Sequence, residues 1–141
     1  MRKRSNEMLD KFRSLDIFSN CDDDELREID SLTDEVQVPA GREIIRQGDL
    51  GREFIVIVNG EASVQRNGAE VNRLGPGAHF GELALLASIE RNASVVALTD
   101  MTLDVIDRRA FQTLLEDSPH LTRNLLESTA RRLAQADAAP D

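Results

Sequence analysis

Turn-forming residues interrupt the middle of this 141-residue chain at short intervals. Their spacing restricts the possible folds more than any other property of the sequence. The runs between these breaks have strand length, as in the apolar run from Phe54 to Val58. Many short strands at regular spacing predict a small antiparallel barrel or roll. The breaks lie at Pro39-Ala40-Gly41, Gly48-Asp49-Leu50-Gly51, Asn59-Gly60, Asn67-Gly68 and Gly75-Pro76-Gly77.

Two patterns support strands in this region. Asn67-Gly68 stands between two runs of alternating polar and apolar residues, which is a strong signal for a two-residue hairpin. Met101, Leu103 and Val105 alternate with polar residues, as expected of a strand with one buried face. Asp49 is interpreted as a turn residue.

Helical patterns flank the strand region. Residues 7–18 carry Met8, Phe12 and Leu15 at helical spacing, and Asp22 with Glu25 forms a capping-box pattern before a second helix. Ser118-Pro119 is a typical helix start, and a final helix is expected to run to about Ala136. Its expected apolar stripe consists of Leu121, Leu125, Leu126 and Leu133.

The whole chain, residues 1–141, is predicted to be a single domain. Its parts are N-terminal helices over 1–36, strands over 37–107, C-terminal helices over 108–136 and a tail over 137–141. The expected fold class is mainly β with flanking helices.

Charge and composition exclude several functions. The net charge of −9 opposes direct nucleic-acid binding, and the basic cluster Arg2-Lys3-Arg4 is short enough to be a solvated end. No apolar run approaches the roughly 18 residues of a membrane span. The single cysteine, Cys21, lies beside acidic residues, which favours an inert or packed thiol in a reducing, cytoplasmic compartment.

The segment from Phe80 to Ser94, here called the cassette, carries the chemistry. Glu82 to Leu86 has room for only a short helix, which can aim backbone N–H groups at an anion. Arg91 can offer a bidentate donor fork to a phosphate. Glu82 can accept a hydrogen bond from a sugar hydroxyl. Together these residues indicate a site for a sugar phosphate.

At these residues the sequence resembles the cyclic nucleotide-binding domain family. The family's phosphate cassette reads Phe-Gly-Glu-x-Ala-Leu, then Arg-x-Ala-Ser/Thr after a short gap. A second family signature, two aliphatic residues followed by Gly-Asp-x-Gly, an apolar run and Gly, matches from Ile44 to Gly60. The matching cassette positions are Phe80, Gly81, Glu82, Ala84, Leu85, Arg91, Ala93 and Ser94.

The resemblance implies a fold and a set of roles. The fold would be an eight-stranded antiparallel β-roll, a jelly-roll-like double-stranded β-helix, with a short cassette helix. Glu82 would hold the ribose 2′-hydroxyl and Arg91 the cyclic phosphate, with Gly81 allowing close approach. The backbone amides of Leu83, Ala84, Asn92 and Ala93 would complete the anion site, and the base would rest near Val71 or Leu74 under the C-terminal helix.

The chain departs from the family pattern at two positions. Asn92 stands where Ala or Ser is usual in members that prefer cAMP and Thr in those that prefer cGMP. Glu90 places an acid where Pro is frequent, and it can point to solvent. The chain has no Trp or Tyr to cover the base, so Leu125 or Leu126 is the candidate cover. The expected ligand is cAMP, with cGMP as the other candidate.

Four functions compete. The favoured one is a regulatory sensor that acts through an effector protein or a fused domain. The alternative is an interaction module that keeps the fold without a nucleotide. A transcription factor would need a DNA-reading helix pair and a basic surface, which the sequence does not offer. An enzyme would need a nucleophile with a base or a metal cluster, and His79 and His120 stand too far apart in sequence to indicate a metal site. No catalytic residue, metal or cofactor is therefore assigned.

Overall fold

The chain forms two compact units. A computed structural model describes residues 2–87 and 89–138. Among these residues, contacts group those within 32–111 into one unit, the strand unit, and residues 2–31 with 112–138 into the other, the helical unit. Among the described residues, no helix is both long and apolar enough to cross a bilayer.

The strand unit contains eight strands within the described residues, arranged in two four-stranded sheets. Every strand pairing in these sheets is antiparallel. The first sheet has the order β1-β8-β3-β6 and the second the order β2-β7-β4-β5. The predicted mainly β fold is therefore confirmed. The strands are β1 Asp34–Val38, β2 Glu43–Ile45, β3 Glu53–Asn59, β4 Ala62–Arg66, β5 Ala69–Leu74, β6 His79–Phe80, β7 Ser94–Ala97 and β8 Met101–Asp107.

The core of the strand unit lies between the two sheets. Ile55 and Leu103 contribute from the first sheet, and Ala62 and Val95 contribute from the second. The apolar run of β3 has no polar alternation because both of its faces are covered. Phe54, on the face away from Ile55, stacks on Phe111 with ring centroids 5.1 Å apart.

The predicted hairpin is confirmed between β4 and β5. Asn67 and Gly68 have φ angles of 54° and 82°, the left-handed values that a type I′ turn requires. The pairing shifts between Val64, opposite Asn72, and Gln65, opposite Glu70, so Val71 is the extra residue of a β-bulge.

The predicted bounds of the helices and strands are close to the observed ones, and three elements differ from them. The helices are α1 Arg2–Arg13, α2 Asp23–Ser31, α3 Glu82–Ala87, α4 Arg108–Asp117 and α5 Pro119–Ala138. The first helix begins at Arg2, ahead of the predicted residue 7. It ends at Arg13 instead of reaching residue 18, since Ser14 Oγ bonds back to the Lys11 carbonyl and a 3₁₀ turn follows at Asp16–Phe18. Strand β1 starts at Asp34, ahead of residue 37, and α5 continues to Ala138.

A buried carboxylate joins two helix starts in the helical unit. Glu25 Oε1 accepts the Asp22 N–H at 3.1 Å and Asp22 Oδ1 accepts the Glu25 N–H at 2.8 Å, which confirms the capping box. Ser118 Oγ also donates to Glu25, and His120 Nδ1 lies 2.6 Å from Glu25 Oε1. Burial acts to raise the pKa of Glu25, but these hydrogen bonds outweigh it and hold that pKa below its usual value.

Cys21 lies beside this network. Its side chain is buried, with Sγ 4.0 Å from Ser118 Oγ, so the packed thiol is confirmed. Burial, reinforced by the Glu25 carboxylate, raises the pKa of Cys21 to about 11.

The apolar stripe predicted for α5 is only half buried. Leu121 and Leu125 are buried in the helical unit, whereas Leu126 and Leu133 are 67% and 64% exposed. Residues four apart share one helix face, but position 126 lies about 140° around the helix from position 121. The single-stripe prediction was wrong for this reason. Asn124 donates from Nδ2 to the Ile17 carbonyl at 2.9 Å and to the Ser19 carbonyl at 2.7 Å.

Candidate anion-binding site at the cassette

The second residue of the cassette is a glycine at which any side chain would clash. Gly81 connects β6 to α3 and has a φ of 98°, in the left-handed region. A Cβ atom there would lie 2.5 Å from Arg91 Nη1 and 2.6 Å from the Glu53 carbonyl oxygen. Arg91 and the backbone of β3 thus lie directly against Gly81. The close approach of a ligand to Gly81, which the family resemblance implies, stays a prediction.

Arg91 is a buried arginine and not a surface residue. It is 6% exposed, and its guanidinium donates from Nη1 to the Gly81 carbonyl at 3.1 Å and from Nη2 to the Glu53 carbonyl at 2.9 Å. Burial lowers the pKa of Arg91, although the Glu53 and Glu82 carboxylates act in the opposite direction. An arginine remains protonated at neutral pH, so a full positive charge is fixed here with little contact with water.

Glu82 supplies a buried carboxylate near this charge. It is the first residue of α3 and is 1% exposed. Its Oε2 atom lies 3.5 Å from Nδ1 of His79, which is also largely buried. Leu83 and Ala84 follow in the first turns of the same helix.

The two sequence motifs meet at Arg91. The Gly48 N–H donates to the Arg91 carbonyl at 2.9 Å, and the Arg91 N–H donates to the Asp49 carbonyl at 2.7 Å. Leu50 forms a bridge with Glu90, which is exposed and so points its acid toward water. The Gly-Asp-x-Gly turn therefore supports the arginine, a role that sequence reasoning did not assign to it. Its place in the family signature was the only available hint.

Arg91 borders a cavity that is large enough for a ligand. An open cavity of about 780 Å³ is lined by β2, the turn after it, and Arg91. Its charged lining includes Glu43, Arg46, Arg52 and Glu53. The volume is in the range of small-molecule sites.

The remaining predicted site residues lie in different surroundings. Ala93 is buried, while Asn92 is exposed and its carbonyl accepts a hydrogen bond from Arg66 Nε at 3.0 Å. Leu74 is partly buried against the core between the sheets. Val71, the bulge residue, is 52% exposed. The structure brings together Gly81, Glu82 and Arg91 most closely. Sequence reasoning missed Glu53 because its contribution is a backbone carbonyl.

Comparison with known proteins identifies the family of this chain. A model of the cyclic nucleotide-binding domain matches residues 35–118. This chain belongs to that family. The cAMP-dependent protein kinase regulatory subunit of Yarrowia lipolytica is 35% identical over 111 residues, which are 79% of this chain and 30% of the relative. The chain thus spans less than a third of that regulatory subunit.

Solved structures show the same fold in family members. The Catabolite Activator Protein of Thermus thermophilus superposes with a TM-score of 0.81 and is 33% identical, with 87% of this chain and 60% of that one covered. The regulatory domain of Toxoplasma gondii PKA with cAMP gives a TM-score of 0.79 at 25% identity, covering 92% and 51%. The chain is therefore a cyclic nucleotide-binding regulatory domain with the β-roll fold.

Proposed function

We propose that this domain binds a cyclic nucleoside monophosphate, with cAMP as the preferred ligand, and acts as a regulatory sensor. The observation that carries the proposal is the burial of Arg91 and Glu82 at a single glycine corner. Burying charged groups costs free energy, which a ligand with an anionic phosphate and a sugar hydroxyl can offset.

Each site residue has a proposed role. Arg91 pairs with the cyclic phosphate, since a guanidinium has five N–H donors and its two bonds to carbonyls engage only part of them. Glu82 accepts a hydrogen bond from the ribose 2′-hydroxyl. The amides of Leu83, Ala84, Asn92 and Ala93 surround the phosphate. The base rests near Leu74 and Val71.

The preference for cAMP rests on the relatives. The Yarrowia lipolytica protein is named a cAMP-dependent regulatory subunit, and the Toxoplasma gondii domain was solved with cAMP. We further propose that ligand binding moves the C-terminal helix and that an effector protein or fused domain responds. The domain binds its ligand without converting it, so incubation with cAMP yields no 5′-AMP.

Isothermal titration with cAMP, cGMP and 5′-AMP tests the proposal. We expect cAMP to bind at micromolar or lower concentration and 5′-AMP much more weakly, because 5′-AMP lacks the cyclic phosphate. The cGMP titration reports what Asn92 does to base choice. If none of the three binds, the domain is not a nucleotide sensor.

An Arg91→Ala variant tests the central residue. Breaking a buried charged contact is expected to cost about 2–5 kcal/mol of binding free energy. Arg73→Ala is the matched control, because it also removes an arginine but at an exposed position on β5. Arg73 Nε lies 3.0 Å from Glu70 Oε1. Thermal unfolding of each variant shows whether it is folded. A folded Arg91→Ala variant with unchanged cAMP affinity would remove Arg91 from the site.

The alternative, an interaction module without nucleotide, is less favoured. A module of that kind has no need for a buried arginine and a buried glutamate beside each other. Both are retained here, and both are more than nine-tenths buried.

A further inference from the structure

We infer that Arg66 is a positioning residue for the proposed anion site and acts through the carbonyl of Asn92. This inference rests on the proposed function, because it concerns the backbone amides that would face the phosphate. Arg66 lies outside both sequence motifs, at the last position of β4.

The two peptide groups that follow Arg91 are each held by their carbonyl oxygen. The Arg91 carbonyl accepts from the Gly48 N–H at 2.9 Å, and the Asn92 carbonyl accepts from Arg66 Nε at 3.0 Å. In a planar trans peptide the C=O and the next N–H point in opposite directions. The first contact therefore aims the Asn92 N–H away from Gly48, and the second aims the Ala93 N–H away from Arg66.

The residue that follows Arg66, Asn67, is anchored to Gln47. Gln47 and Asn67 exchange two hydrogen bonds, from the Asn67 N–H to Gln47 Oε1 at 2.9 Å and from Gln47 Nε2 to Asn67 Oδ1 at 3.0 Å. The Gln47 N–H donates to Ser94 Oγ at 2.8 Å. Gln47 thus links the hairpin turn to the end of the cassette beside the Arg66 contact.

The contact also changes the chemistry of the amide. A charged donor on the carbonyl oxygen polarises the whole peptide group, which makes its N–H a stronger donor to an anion. The Gly48 contact is a backbone bond that persists in any variant, whereas the Arg66 contact is made by a side chain. Substitution of Arg66 therefore alters the Ala93 amide and leaves the Asn92 amide supported.

The test compares Arg66→Ala with Arg66→Lys and the control Arg73→Ala by titration with cAMP. Loss of one hydrogen bond at an exposed position is expected to weaken cAMP binding about fivefold in Arg66→Ala. Arg73→Ala removes the same charge from the adjacent strand and is expected to bind as the wild-type protein does. Arg66→Lys keeps the charge and a donor and is expected to recover part of the loss.

The two phosphorothioate diastereomers of cAMP separate positioning from a general structural effect. Sulfur replaces one exocyclic phosphate oxygen in each, so a change at a single amide alters the ratio of their affinities. A structural loss would lower both affinities alike. An unchanged ratio in Arg66→Ala, or equal affinities for Arg66→Ala and Arg73→Ala, would overturn the inference. Failure of the wild-type protein to bind cAMP and cGMP would instead overturn the proposed function, and the inference with it.

Discussion

Replacing Gly81 with Ala gives the sharpest test of how the cassette is built. The added methyl group would meet Arg91 Nη1 at 2.5 Å and the Glu53 carbonyl oxygen at 2.6 Å. The arginine end can move aside, but the Glu53 oxygen belongs to the backbone and cannot move without shifting β3. Since both atoms take part in the hydrogen bonds of the guanidinium, the methyl group would separate Arg91 from its two carbonyl partners.

Two costs add up at this position. The left-handed conformation costs an alanine about 1–2 kcal/mol, and overpacking a rigid contact costs about 1–3 kcal/mol more. We therefore expect Gly81→Ala to lower the free energy of unfolding by about 2–5 kcal/mol. Part of this cost falls on the binding site if Arg91 is displaced. Each 1.4 kcal/mol of binding free energy lost in that way weakens cAMP binding about tenfold.

Gly41→Ala is the matched control. Gly41 has a similar φ of 89°, but a Cβ atom there has no neighbour within 4 Å among the described residues. It is expected to show the conformational cost alone, about 1–2 kcal/mol, with unchanged cAMP affinity. Urea unfolding followed by far-ultraviolet circular dichroism measures both variants, because the chain has no Trp or Tyr for fluorescence. Equal losses of stability in the two variants would refute the close approach of Gly81 to Arg91 and Glu53.

Two further predictions concern the helical unit. Because folding lowers the pKa of Glu25 below its usual 4.5, the carboxylate stabilises the fold above about pH 4.5, and this stabilisation disappears as the pH falls through the folded-state pKa. Glu25→Gln should therefore cost about 2–3 kcal/mol at pH 7, with the difference from wild type closing in acid. Urea titrations at several pH values measure this difference, and a Glu25→Gln difference that is independent of pH would contradict the prediction. Cys21, with its pKa raised to about 11, should react with a thiol reagent at pH 8 only after denaturant is added, and rapid labelling of the native protein would contradict the observed burial.

Local sequence determined much of the fold. The hairpin at Asn67-Gly68, the capping box of Asp22 with Glu25 and the start of α5 at Ser118-Pro119 all formed where their residue types predict. These features depend on the φ preference of a glycine or on the reach of one side chain over three residues, so neighbouring residues decide them. The two motifs likewise identified the family, because their order and spacing are properties of the chain itself.

Only the tertiary structure decided how the site is held together. The sequence placed Glu82 and Arg91 nine positions apart, but Arg91 is held by Glu53 from β3 and by the turn at Gly48 and Asp49. It also gave no sign that Arg66 reaches the Asn92 carbonyl. These contacts join residues 26 to 43 positions apart through backbone carbonyls and amides. Every residue carries such groups, so no residue type marks them in advance, and only the pairing of the strands shows which of them meet.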